Sequence, residues 1–84
     1  MSSIIKMYGT MLCPDCTLAK QVFKQRNTAY EWIDISDNSE DTAYVEQINS
    51  GNRSVPTIVF PDGSVLVEPS KAILNTKLDE LHKH

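Results

Sequence analysis

Apolar positions in this chain fall alternately into short runs and helical stripes. Ile4 to Tyr8 is a short apolar run containing β-branched residues and predicts a strand. Gly9-Thr10-Met11-Leu12 leads out of it, and a helix is expected to begin at Cys13-Pro14, because proline suits the first helical turn. Leu18, Ala19, Val22 and Phe23 recur at helical spacing, and Gln25-Arg26-Asn27 closes that helix. Tyr30 to Ile35 predicts a second strand, with Tyr30, Trp32 and Ile33 as packing residues. The polar cluster Asp37-Asn38-Ser39, followed by Glu40-Asp41, has the character of a helix start. Tyr44, Val45 and Ile48 continue it, and Gly51 is expected as a left-handed cap within Asn49-Ser50-Gly51-Asn52. Thr57 to Phe60 and Val65 to Val67 flank the turn Pro61-Asp62-Gly63 and predict a hairpin. Pro69-Ser70 opens a last helix bearing Ile73, Leu74, Leu78 and Leu81, with His82-Lys83-His84 at its C-terminal end.

The predicted order is βαβαββα. A strand-helix-strand start calls for a parallel pair with a right-handed crossover. The hairpin and final helix then complete a four-stranded mixed sheet flanked by three helices, an α/β fold. Loops that carry function are expected where the first strand hands over to its helix.

Composition narrows the class. The chain has 84 residues, 8 basic and 11 acidic side chains and a net charge of −3, with 40% apolar residues. That is an ordinary globular composition, and no repeat or low-complexity stretch divides it, so residues 1–84 are expected to form one domain. The scattered basic residues form no stripe for nucleic acid. No apolar run reaches the roughly 20 residues of a membrane helix. Met1-Ser2-Ser3-Ile4-Ile5-Lys6 lacks the apolar region of a signal peptide, so a cytoplasmic, monomeric protein is expected. A structural disulfide is out of place in a reducing cytosol. The two cysteines nevertheless stand together as Cys13-Pro14-Asp15-Cys16.

On a helix, positions i and i+3 share a face. At the helix start the Cys13 sulfur would face unpaired backbone N–H groups and the positive end of the dipole, which favours a negatively charged sulfur. Cys16, one turn further in, would be more shielded yet close enough to bond to it. Cys13 is thus the expected attacking sulfur and Cys16 the resolving one, in exchange through a mixed disulfide. The two residues between them tune the loop. Pro14 stiffens the turn and removes an N–H, and the Asp15 carboxylate opposes a second negative charge nearby. Other uses of the pair are metal sites. Structural zinc needs four ligands, and only Cys13, Cys16, His82 and His84 are candidates. Met11-x-Cys13-x-x-Cys16 also fits the pattern with which small copper chaperones hold Cu(I) between two thiolates. The element order and Pro14 weigh against that alternative, and a CxxC between a strand and a helix of a βαβ unit points to a thioredoxin-like redox arrangement.

Met7-Tyr8 before the first cysteine, Cys13-Pro14-x-Cys16 followed by Ala19-Lys20, Ile33-Asp34-Ile35, Ser54-Val55-Pro56-Thr57 and Asp62-Gly63 form a pattern that runs over most of the chain. In that pattern the sequence resembles the glutaredoxin family. Gly51-Asn52-Arg53-Ser54-Val55-Pro56-Thr57 with Pro61-Asp62-Gly63-Ser64 looks most like the actinobacterial-type members called mycoredoxins. The resemblance implies a thioredoxin-like fold, disulfide reductase activity, a redox-active Cys13-Cys16 pair with no bound cofactor, and a role in electron transport and cell redox homeostasis. It also implies a cis Val55-Pro56 bond opposite the cysteines, leaving the preceding backbone free to pair with substrate.

The chain departs from the family pattern at positions that normally hold glutathione. Thr10 and Asp15 replace a lysine and a tyrosine, and Val67-Glu68-Pro69-Ser70 replaces a Gly-Gly-x-x-Asp segment. Lys20, Arg53, the Val55 backbone and the helix terminus at Ser70 are the remaining candidates to hold the carboxylates of a small thiol. The implied substrate-binding residues are therefore Thr10, Arg53, Val55, Pro56 and Ser70. The implied partners are protein disulfides and a low-molecular-weight thiol (glutathione, mycothiol or another) or a flavin disulfide reductase. Family members that hold an iron–sulfur cluster favour a Cys-Gly-x-Ser loop, which this chain lacks. Trp32 and Tyr8 read as packing residues, and Arg53 could equally cap the second helix.

Overall fold

The central strand is β1 (Ile5–Gly9), in which burial follows the pleat. A computed structural model describes residues 4–36, 38–51 and 54–82. Along β1, Ile5 and Met7 point to one face of the sheet and Tyr8 to the other, as a period of two requires. β2 (Tyr30–Asp34) pairs parallel with β1, with Ile5 opposite Tyr30 and Gly9 opposite Asp34. β3 (Thr57–Val59) pairs antiparallel with the other edge of β1, and β4 (Val65–Val67) pairs antiparallel with β3. The sheet order is β2-β1-β3-β4. With α1 (Pro14–Gln25), α2 (Ser39–Ile48) and α3 (Lys71–His82), the order βαβαββα is as expected. β1 lies one residue later than the apolar run suggests, because the pairing of Gly9 with Asp34 extends it at one end while Ile4 is left out at the other.

Two apolar layers hold the sheet. On one face Ile5, Met7 and Ile58 meet Ala19, Val22 and Phe23 of α1 and Leu74 and Leu78 of α3. On the other, Tyr8 and Ile35 meet Val45 of α2. Met7, Val22, Phe23, Ile58 and Leu78 are fully buried. Each such side chain contributes about 1.5–3 kcal/mol relative to exposure. Arg26, just past the end of α1, donates to Asn75 at 3.1 Å and pairs with Asp79 at 2.6 Å, tying α1 to α3.

The first two helices end on left-handed residues. After α1, Asn27 (φ 52°) turns the chain and the Thr28 N–H reaches the Phe23 carbonyl at 2.9 Å. After α2, which ends at Ile48, Gly51 is left-handed as expected (φ 96°), and Ser50 before it is left-handed too (φ 56°). The Gly51 N–H closes the turn onto the Glu46 carbonyl at 2.7 Å. Asn38 caps α2 by accepting from the Asp41 N–H at 3.0 Å. Asp37 and Asn52, also named in these helix boundaries, lie outside the described residues, as do Lys83 and His84.

Candidate active site

β1 delivers the chain to a two-residue turn, Met11-Leu12, and then to Cys13. Cys13 is the N-cap of α1, with extended backbone (φ −92°, ψ 112°) and Pro14 at the first helical position. Helices begin here for a local reason. Proline lacks the N–H that the first turn would leave unpaired, and the Cys13 carbonyl accepts the first intrahelical bond, from the Thr17 N–H at 3.2 Å. The Cys13 sulfur takes the place a serine or aspartate oxygen usually holds, accepting the Cys16 N–H at 3.1 Å. A backbone donor at the positive end of α1 is thereby aimed at this sulfur.

A second element reaches the same sulfur. The Cys13 thiol lies 3.7 Å from the Val55 carbonyl, donating to it across the gap between the β1–α1 loop and the segment before β3. The Val55–Pro56 bond is cis. Pro56 is buried, and its carbonyl accepts the Glu68 N–H at 2.9 Å. Below it, the buried Thr57 hydroxyl donates to the Ser54 carbonyl at 2.7 Å and accepts from Asn49 at 3.0 Å, anchoring the segment to the end of α2.

The two sulfurs sit in unlike surroundings. Cys13 is half-buried, whereas Cys16 is 1% exposed. Burial pushes the Cys16 thiol up to about 12, aided by its hydrogen bond with Cys13, while the Thr10 backbone N–H and the Lys20 ammonium pull the other way. Close packing around Cys16 depends on Gly9. A Cβ there would lie 2.5 Å from the Cys16 sulfur and 2.8 Å from the Trp32 ring, so only glycine fits. Lys20, one turn after Cys16, rests its Nζ 3.7 Å from the centroid of the Trp32 ring.

Thr10, Cys13, Pro14, Cys16, Val55 and Pro56 are thus brought together. Thr10 contributes backbone, its carbonyl accepting the Cys13 N–H at 3.4 Å. Asp15 lies exposed on the first turn of α1. Ser70 stands at the helix terminus as expected: its hydroxyl accepts the Ile73 N–H at 3.2 Å, capping the helix that begins at Lys71. That donor is therefore already paired. Arg53 lies outside the described residues. Among the described residues no three His, Cys, Asp or Glu side chains gather to hold a metal.

Two features escape the sequence pattern. Gly9 reads as an ordinary strand end, and the one available signal is a glycine within a strand run, which often marks a close approach. Met11 and Leu12 are 68% and 95% exposed, an apolar tip directly before Cys13. Two apolar residues in a turn were the signal there.

An N-capping thiol in front of a buried partner, at a strand-to-helix junction of a thioredoxin-like sheet, defines a dithiol protein of the thioredoxin fold. The glutaredoxin family profile matches residues 5–66, and the chain belongs to the glutaredoxin family. A Mycobacterium tuberculosis protein that carries the glutaredoxin name is 35% identical over 77 residues, 92% of each chain. Mycoredoxin 1 of Corynebacterium glutamicum is 34% identical over 80 residues, 94% of this chain and 98% of that one. Among solved structures, the thioredoxin-like protein BC3987 superposes with a TM-score of 0.70 at 28% identity, covering 92% of this chain and 97% of its own. As a glutaredoxin the chain is a thiol-disulfide oxidoreductase, and nothing in these comparisons supports the Cu(I)-chaperone alternative.

Proposed function

We propose that Cys13 is the attacking sulfur and Cys16 the resolving one in the reduction of protein disulfides and mixed disulfides. The observation that carries this is the asymmetry of the pair: Cys13 is reachable and accepts a helix N–H, whereas Cys16 is buried behind it. Cys13 attacks a substrate disulfide and forms a mixed disulfide. Cys16 then attacks Cys13, and the substrate sulfur leaves as a thiol. The reaction needs no bound cofactor, since electrons arrive by further thiol exchange. Pro14 and Asp15 tune the loop. Thr10, Val55, Pro56, Arg53 and Ser70 remain the residues we assign to substrate contact, Ser70 by way of the helix terminus it caps.

The similarity to mycoredoxin 1 favours a small thiol other than glutathione as electron donor, or a flavin disulfide reductase. Asp15, where a tyrosine is usual in glutaredoxins, supports the same choice, because its charge repels an anionic tripeptide. No helix of the described residues is long and apolar enough to cross a membrane, and we infer a cytoplasmic, monomeric protein that acts as a single domain over residues 1–84.

The test offers Cys16→Ser the mixed disulfides of glutathione, mycothiol, bacillithiol and coenzyme A. The expected result is a covalent adduct on Cys13, located by peptide mass, with turnover differing among the thiols and glutathione not the best. Absence of any Cys13 adduct would refute the assignment of roles. Glutathione turning over fastest would refute the part given to Asp15.

A further inference from the structure

Cys16 must lose its proton to act, yet it is the buried sulfur. The groups that face it are few. From the start of α1 comes Cys13, whose sulfur bonds to it in the free dithiol. From the β1–α1 loop comes the Thr10 backbone N–H. From the next turn of α1 comes Lys20, at i+4 and so on the same helix face. β2 contributes Trp32, whose ring edge and the Cys16 sulfur crowd the same small volume over Gly9. The other end of that contact is the Lys20 ammonium, 3.7 Å from the ring centroid. Asp34, at the end of β2, competes for this ammonium. Its carboxyl is held below the usual range, by hydrogen bonds from Ser36 first and by Lys20 after them.

We propose that Lys20, seated on Trp32, is a positioning residue for the second half of the exchange, its ammonium supporting negative charge on Cys16 as that sulfur attacks the Cys13 mixed disulfide. The inference rests on the assignment of Cys13 and Cys16 made above. It applies to this step in particular. Once Cys13 is bonded to substrate, its sulfur carries no charge to repel Cys16. Burial remains, and the Thr10 N–H and Lys20 are what oppose it. In the step, the Cys16 thiol gives its proton to water and its thiolate forms the Cys13–Cys16 bond. The bond from Cys13 to the substrate sulfur breaks, and that sulfur leaves with the electron pair and takes a proton from water. The cysteine pair is oxidised by two electrons and the substrate disulfide is reduced by two. The aromatic seat matters because a lysine held against a ring face does not have to be ordered anew for each turnover.

The size of the effect follows from two opposed trends. Removing the ammonium lowers the thiolate fraction of Cys16, about tenfold for each unit by which the thiol is harder to ionise. Nucleophilicity rises as the thiol becomes more basic, returning about threefold of that. The net expectation is resolution slowed at neutral pH, by about threefold for each unit by which loss of the ammonium raises the thiol.

The experiment follows both phases of a single turnover with a chromogenic mixed disulfide, in wild type, Lys20→Met, Lys20→Arg and Trp32→Leu, from neutral to alkaline pH. Circular dichroism confirms that each variant is folded. The disulfide carries no carboxylate, and formation of the Cys13 adduct is timed separately so that any change in it is not counted in the resolution phase. Resolution of the adduct should be slower in Lys20→Met at neutral pH, by about threefold for each unit by which the pH profile is displaced to the alkaline side. Lys20→Arg should restore the rate, and Trp32→Leu should fall between. Equal resolution rates and profiles for wild type and Lys20→Met would overturn the proposal, as would Lys20→Arg behaving like Lys20→Met. If no Cys13 adduct forms even in wild type, the failure lies instead with the assignment of the two cysteines.

Discussion

Cys13 and Cys16 differ by three positions and almost entirely in environment. The spacing and the adjoining proline put both at the first turn of a helix, and the roles proposed for them start from that placement. What the spacing could not convey is how Cys16 comes to be so closely enclosed. That depends on Gly9, whose missing side chain leaves room for the sulfur and the Trp32 ring. Gly9→Ala should destabilise the protein by about 1–3 kcal/mol, because the added methyl meets a sulfur and a rigid ring. Urea unfolding of the reduced protein checks this, and an unchanged midpoint would contradict it. The raised Cys16 thiol has a sign as well. Its folded value lies above that of an unfolded cysteine, so its contribution to stability is complete below about pH 8.5. The contribution declines as pH rises toward the folded value of about 12. The reduced wild type should therefore lose stability in mild alkali more steeply than Cys16→Ala, as denaturant midpoints over that range would reveal.

At the level of elements, the apolar periodicity located every strand and helix to within a residue or two. The exceptions have local causes. After α2 the left-handed turn takes in Ser50 as well as Gly51, because the helix stops at Ile48 and helix ends answer to hydrogen bonding rather than to the apolar stripe. Links between elements were not legible, since they join residues far apart in sequence. Lys77 of α3 pairs with Asp62 in the β3–β4 turn at 2.8 Å, fastening the hairpin to the helix. The Lys77 ammonium, with Ser64, holds the Asp62 carboxyl well below the usual carboxylate range. A depressed carboxylate contributes stability above its unfolded value of about 3.9 and loses it as pH falls through the folded one. Lys77→Met should thus lower the thermal midpoint at neutral pH, and the deficit should shrink in strong acid. A deficit that stays constant from neutral to strongly acid pH would show that the ion pair is not its source.

At the scale of the whole molecule, the chain order decides where chemistry can occur. A parallel β1–β2 pair leaves the C-terminal end of β1 beside the start of α1, and the antiparallel β3 brings Val55-Pro56 to the same end. The parallel pair and the hairpin were expected from the element order, whereas the place of β3 beside β1 was not. That Val55-Pro56 lies opposite the cysteines came only from the family resemblance, because no periodicity encodes a loop-to-loop approach, and the contact of the Val55 carbonyl with the Cys13 sulfur came only from the structure. The contacts proposed for a small thiol are the least legible part, since of their candidates Arg53 lies outside the described residues and the Ser70 hydroxyl is engaged in capping. The exposed Met11-Leu12 tip beside Cys13 would be covered by any partner whose disulfide reaches that sulfur. Leu12→Ser should therefore weaken turnover of protein disulfides more than that of small mixed disulfides, a difference seen by comparing KM for the two substrate types. Equal effects on both would remove that tip from substrate contact. The central claim is that a single sulfur, Cys13, makes the first attack, and it is tested most directly by assaying disulfide reduction with Cys13→Ser beside Cys16→Ser. Cys13→Ser should lose all measurable activity while Cys16→Ser still forms the mixed disulfide, and substantial reduction by Cys13→Ser would contradict the account.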